Sequence, residues 1–423
     1  VVVRDDRIIY VGIPGGVDDI AKTNARRVDL GGRLMLPGLH DVHIHPLGIV
    51  PAGNCDLNDR RLTLDELVPV LKRCIENRLV DDAGWLVVSQ WAFSFGNEPS
   101  ETLPTMRAAL DAASTDHPIV LLGNDGHHGA VNSAAMALAE NEKGEKIGLS
   151  RESLQSAFAE YREYVGVDAS GEPNGMVNDS ARYLFGDRSS VLWELPPLAV
   201  MPNVAKVLAS SGITSIRDAS ADVESLGHYD YLSELGKQTF RLTLALYPEI
   251  EDRYLGAQFD LRSDLMVEDM KKIRERYASN PLIRADHVKL YVDGVLEGDP
   301  RSTPPMLPNS AQLAPYRQPI FAADGGSLSV AGYVDPNSAA CRAARGVGGS
   351  QQKITAFIEA NGFHPNQCDT RSGVLQHDVA VINDFVKAFD RAGFTVHAHA
   401  IGDRAVRVAV DAFEHARRIG GQV

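Results

Sequence analysis

Hydrophobic positions follow different rhythms along the chain. In residues 1–34 they alternate over short stretches, with 1–3 and 8–11 flanking the turn Arg4-Asp5-Asp6-Arg7, and 28–30 running into Gly31-Gly32. Period-two alternation bounded by Asp and Gly predicts short strands, so 1–34 reads as a small β-layer ahead of a main domain over 35–423. Between about 50 and 200, residues 64–78 have helical spacing, while 85–88 and 119–122 are apolar runs of buried-strand length. Residues 165–178, rich in Gly, Asn and Asp, read as loop. Beyond 200 the pattern predicts helix 204–210, strands 213–218 and 241–246, helix 267–277, strand 287–294, helix 379–392, strand 394–399 and helix 404–417. Strands alternating with helices predict parallel βα units. Residues 299–350 carry no period and read as a long loop or excursion.

Composition narrows the class. The 423 residues include 42 Lys+Arg and 56 Asp+Glu, a net charge of −14, with 44% hydrophobic residues. That is ample for one large catalytic domain and a smaller one. The acidic balance argues against nucleic acid or an anionic membrane, and no apolar run reaches the roughly 18 residues of a membrane span. A small-molecule substrate is the expected partner, with a homodimer as the expected assembly. The chain begins without Met inside a strand and ends just after a helix, so it reads as a fragment of a longer protein. Cys55, Cys74, Cys341 and Cys368 form no C-x-x-C pair. They read as free, part-buried thiols; the alternative is two local disulfides in an exported protein. A cytoplasmic location is favoured, with periplasmic or secreted as the alternative because the N-terminus reads as missing.

The candidate chemistry lies at strand ends. In Asp41-x-His43-x-His45 the three polar side chains share one face of a buried strand, about 6.5–7 Å apart. Two imidazoles so placed suit zinc or a similar divalent metal. Lys289 shares a face with His287, Tyr291 and Asp293. A buried ammonium is costly unless paired, here with Asp293 or Asp218, or converted to a carbamate whose oxygens bridge two metals. His397-Ala398-His399 ends another strand, with His399 the better ligand, His397 a supporting or core residue, and Asp403 a helix cap. The polar loop 124–133 offers His127 and Asn132 to a substrate carbonyl or carboxylate, and Trp91 as an apolar wall; a solvated turn and a core Trp are the plainer alternatives.

Taken together, Leu36-Pro37-Gly38-Leu39-x-Asp41-x-His43-x-His45, Asp125-Gly126-His127 with Asn132-Ser133, Val288-Lys289-Leu290-x-x-Asp293-Gly294 and His397-x-His399-Ala400-Ile401-Gly402-Asp403 resemble the amidohydrolase superfamily. The similarity is to its amidohydrolase family 3 branch of N-substituted formamide deformylase-like enzymes. The resemblance implies an α/β fold, a distorted (β/α)8 TIM barrel, with a β-sandwich made from both chain ends. It implies one or two divalent metals, zinc first, held by His43, His45, Lys289 (carboxylated) and His399. It also implies a histidine on strand six and a catalytic aspartate on strand eight, both expected beyond Val423, so that this chain carries strands one to five, with insertions at about 50–200 and 299–376. The activity implied is hydrolysis of a non-peptide C–N bond, an amide, by metal-activated water. The alternatives are a deaminase or cyclic-amide hydrolase of the same superfamily, or a non-catalytic metal-binding relative.

Overall fold

Alternating apolar residues at the start of the chain form one antiparallel hairpin, β1 (Val2–Arg4) with β2 (Arg7–Tyr10). The computed structural model describes residues 1–5, 7–17, 20, 25–49, 55–93, 95–141, 143–178, 181–185, 198–248, 263–324, 327–348 and 350–420. Residues 421–423, where strand six is expected to begin, lie outside them. The chain divides into two units, Val1–Leu39 and His40–Val423. In the first, Gly31 and Gly32 make the expected turn with φ of 57° and 79°. Residues 28–30, however, form no strand, and Val3, Ile8, Leu34 and Leu36 are exposed. The expected sandwich is therefore represented, among the described residues, by a hairpin too short to bury a face.

Two sheets interleave along the rest of the chain. After β3 (Leu39–Ile44) come β4 (Cys55–Asp56), β5 (Leu86–Trp91), β6 (Ile119–Gly123), β7 (His128–Val131), β8 (Val165–Val167) and β9 (Pro173–Asn178). All but β3 form a six-stranded sheet, ordered β4-β5-β6-β7-β9-β8. Strand alternation sorts its two faces. Leu86 and Val88 pack with Leu64, Leu67 and Leu71 of α1 (Leu64–Glu76) and Leu110 of α2 (Met106–Ala113), whereas Val87 packs with Val131, Phe158 and Met136 of α3 (Ser133–Met136). Thr63 starts α1 with a capping box to Glu66. The loop expected over 165–178 is instead β8 and β9. Of its glycines, Gly171 makes the turn between the two strands with φ of 86°, while Gly166 and Gly175 mark close approach: a Cβ at Gly166 would fall 2.5 Å from Asn174 Oδ1, and one at Gly175 would fall 2.5 Å from the Arg107 amide nitrogen.

The second sheet arises from strand and helix alternation. Its elements are α4 (Met201–Ser210), β10 (Ile213–Ala221), α5 (Leu226–Glu234), β11 (Arg241–Leu246), α6 (Ser263–Arg276) and β12 (Ile283–Tyr291). The hairpin β13 (Pro319–Asp324) and β14 (Ser327–Tyr333) follows, then α7 (Ala339–Ala344) and α8 (Gln351–Asn361). Thus the stretch expected to be a structureless loop contains a hairpin and a helix. Then come α9 (Val379–Arg391), β15 (Thr395–His399) and α10 (Asp403–Gly420). The sheet order is β15-β12-β11-β10-β3, with β10, β11, β12 and β15 parallel. Val288, Leu290 and Val292 are fully buried in one core with Leu244, Phe385 and Phe389, which leaves His287, Lys289 and Tyr291 on the opposite face.

All four cysteines are paired, Cys55 with Cys74 and Cys341 with Cys368. This corrects the free-thiol reading. β4 lies against α1, and α7 against the turn at Pro365–Cys368, so the Cα atoms stand 5.6 and 5.3 Å apart, within bridging range.

Candidate metal centre

β3 and β15 are the two edges of the five-stranded sheet. In a flat sheet those edges would stand about 19 Å apart. Yet His397 Nε2 and His43 Nδ1 are 3.2 Å apart. The sheet is therefore curled into an arc, and side chains on its inner face converge at the ends of the strands. The register supports this: His287, Lys289 and Tyr291 of β12 stand beside Thr395, His397 and His399 of β15. β3 itself is not the buried strand expected from its sequence. As an edge strand it is largely open, and Val42 is 62% exposed.

Hydrogen bonding orders the imidazoles. Arg217 can only donate, and it reaches His397 Nδ1 at 3.3 Å and His287 Nε2 at 3.4 Å. His397 Nδ1 therefore accepts, and its Nε2 donates to His43 Nδ1. His287 Nδ1 donates to Asp286 Oδ1 at 2.8 Å. His399 Nε2 donates to the Gly294 carbonyl at 2.8 Å, which leaves Nδ1 as its lone-pair atom. The rings of His43 and His45 stand edge to face at 5.8 Å. His127, from the turn between β6 and β7, brings its ring to 6.5 Å from that of His399.

Burial holds these imidazoles neutral. Desolvation, followed by the Lys289 charge, pushes His45 and His397 down to about 4. His43 and His399 are lowered too, with burial again the main cause. Lys289 is 1% exposed, and desolvation lowers it to about 8 against a smaller opposing pull from Asp218. Its Nζ lies 4.5 Å from the centre of the Tyr291 ring. Among the described residues it has no carboxylate partner, so neither expected pairing is made. Asp218 accepts instead from Tyr229 Oη at 2.5 Å and from the Ser220 amide, and burial raises it to about 6. Asp293 accepts from three backbone amides.

Of the residues anticipated from sequence, His43, His45, Lys289, His399 and His127 lie in or beside this cluster. Asn132 and Trp91 are instead committed to bonds inside the fold. The Asn132 oxygen accepts from the Ile119 and Ala135 amides and its nitrogen donates to the Ser114 and His117 carbonyls, which uses all four of its bonds inside the fold. Trp91 is 2% exposed, and its Nε1 donates to Asn97 Oδ1. Gly402, rather than Asp403, caps α10 by accepting from the Val406 amide; Asp403 accepts from the Leu313 amide. Arg217 was missed, although a cation inside the apolar strand 213–218 is a readable signal.

The donor chemistry fits a divalent cation. Neutral imidazoles offer lone pairs, and a ligand histidine normally donates its other N–H to a carbonyl or carboxylate, as His399 does to Gly294. The 3.2 Å contact between His43 Nδ1 and His397 Nε2 is a hydrogen bond whose proton sits on His397 Nε2, so a cation at His43 Nδ1 would have to displace it. Among the described residues, no three His, Cys, Asp or Glu side chains are gathered closely enough to form a complete ligand set.

A curled, largely parallel sheet whose strands end in imidazoles and a lysine is a half-barrel α/β scaffold with its polar groups at the strand ends. The chain belongs to the amidohydrolase family, whose family model matches residues 26–313. Over its whole length it is 25% identical to the exoenzymes regulatory protein AepA of Pectobacterium carotovorum subsp. carotovorum, covering 74% of that protein. Over 69% of its length it is 26% identical to the N-substituted formamide deformylase of Arthrobacter pascens, and there it spans only 50% of the relative. The fold resembles that of an uncharacterized metal-dependent hydrolase from Pyrococcus furiosus, with a TM-score of 0.52 and 19% identity over 98% of this chain and 66% of that one.

Proposed function

We propose that this chain carries the metal-binding half of a hydrolase that cleaves a non-peptide C–N bond, an amide. The observation that carries the reading is the meeting of His43 and His397 from opposite sheet edges, beside Lys289, with the imidazoles held neutral. His43, His45, Lys289 and His399 are the side chains that would hold one or two divalent ions, zinc first. Such an ion lowers the pKa of a bound water toward neutrality and polarises a carbonyl. His127, whose ring lies 6.5 Å from that of His399, is assigned to orienting a substrate oxygen. Lys289, at about 8, has about one-tenth of its amine neutral at pH 7, the form that adds carbon dioxide to give a carbamate. Electron density extending from its Nζ would test that modification.

Changing His43 and His45 together to Ala should abolish zinc binding measured by metal analysis. Unchanged zinc content would remove the ligand assignment. A panel of N-substituted amides, cyclic amides and amino-substituted rings then separates amide hydrolysis from cyclic-amide hydrolysis and deamination. A non-catalytic regulatory or metal-binding role is the second reading, favoured by whole-chain similarity to a protein named as a regulator. Two disulfides with no free cysteine among the described residues support an oxidising compartment, periplasmic or extracellular.

A further inference from the structure

Asp293 lies just beyond β12, and its side chain is fully buried. Its Oδ2 accepts from the amides of Ala311 at 2.9 Å and Gly402 at 2.8 Å, and its Oδ1 accepts from Ile401 at 3.0 Å. One carboxylate thus holds two distant segments: the insertion after β12 and the turn that follows His399. Further contacts tighten this junction. The Ala311 carbonyl accepts from the Arg404 and Ala405 amides, the Val292 amide donates to the His399 carbonyl, and the Gln376 amide donates to the Val292 carbonyl. A Cβ at Gly402 would fall 2.0 Å from the Ala311 oxygen, so the segments approach as closely as backbone allows.

We infer that Asp293 is the positioning residue of His399. The ring is held from two directions, both governed by this carboxylate. The next residue, Gly294, supplies the carbonyl that receives His399 Nε2–H at 2.8 Å. The amides two and three residues past His399 are fixed on Asp293 itself. Together they select the tautomer with the proton on Nε2 and the lone pair on Nδ1. The same carboxylate makes the root of the insertion a fixed rim of the site rather than a free lid. The consequence for metal binding rests on the function proposed above; the tautomer and the clamp do not.

The test uses the full chain stripped of metal, labelled with nitrogen-15 and with the His399 signal assigned by a His399→Gln variant. At pH 8, His399 should show a protonated Nε2 and an unprotonated Nδ1, and the Ala311, Ile401 and Gly402 amides should be protected from hydrogen exchange as one group. In Asp293→Asn, an NH2 group replaces one acceptor oxygen. The three amides should then exchange at least tenfold faster, and the His399 nitrogens should move toward the average of the two tautomers, with the amides of β10 and β11 unchanged. An Nδ1–H or mixed tautomer in the wild-type chain overturns the inference even if the Asn variant fails to fold, and so do a pure Nε2–H tautomer and unaltered exchange in a folded Asp293→Asn. Zinc titration of the wild-type chain is read separately: failure to bind, with the tautomer and protection as expected, refutes the metal-dependent function and leaves the role of Asp293 standing.

Discussion

Replacing Lys289 by Met removes a buried ammonium while keeping most of the side-chain volume. Lowering a lysine from its ordinary 10.5 to about 8 corresponds to roughly 3 kcal/mol of unfavourable charge burial. The face of Tyr291, 4.5 Å from Nζ, returns about 1 kcal/mol. In metal-free, carbon dioxide-free protein at pH 7, Lys289→Met should therefore be more stable than the wild type by about 2 kcal/mol. The pH dependence follows from the depressed folded-state value. Below about 8 the lysine is charged in both states and the full cost is present. Between about 8 and 10.5 the unfolded chain holds a proton that the folded chain has released, so wild-type stability rises with pH. Above 10.5 the lysine is neutral in both states, and the difference between the two proteins should close. Urea unfolding of both at pH 7 and at pH 11 measures this. A Met variant about 1 kcal/mol or more less stable at pH 7, with no change in the gap at pH 11, would refute the claim that Lys289 is a buried charge with no carboxylate partner among the described residues. The same variant should bind zinc less well, a gain in stability at the expense of function.

Asn132→Ala leaves two amides and two carbonyls without partners and should lower stability by about 3 kcal/mol or more in a denaturant melt; a loss below 1 kcal/mol would contradict its structural assignment. The disulfides span sequence separations of 19 and 27, and opening each by Cys→Ser should cost about 3 kcal/mol. Thiol titration of the unreduced protein should find no reactive cysteine, and reactive thiols there would restore the free-cysteine reading. With His45 and His397 at about 4, zinc should be retained as pH falls through 6.5, the ordinary histidine value, and be released only toward 5 and below. The same depressed values mean that stability is highest above 6.5 and declines as pH falls toward 4. Zinc release centred near 6.5 would show that these imidazoles are not desolvated.

The parallel strands were legible because each carries an uninterrupted apolar face beside a polar one. In β12, Val288, Leu290 and Val292 alternate with His287, Lys289 and Tyr291, and the pattern alone assigns both faces. Where the reading failed, local signals had two physical causes. Gly166 and Gly175 look like loop residues, yet each is small because a neighbouring strand or helix passes close by. Asn132 looks like a substrate ligand because it is polar and lies in a Gly-punctuated stretch, and only the fold reveals that its four bonds are taken. The apolar run Leu34–Leu39 suggested a buried entry to β3, but an edge strand has one partner and remains open. The contact between His43 and His397 was not readable at all, since it depends on how far the sheet curls.

That contact also has a consequence in time. Its two histidines are separated by 354 positions in the chain. At synthesis rates of about 5–20 residues per second, His43 is made roughly 20–70 s before its partner. Throughout that interval β3 has no β15 to close against, so the histidines at its end are open to solvent and to any passing metal ion. If the proposed site holds a metal, the wrong ion is best kept out by entry only after β15 docks, and a chain that assembles its histidines in this order would gain from late loading.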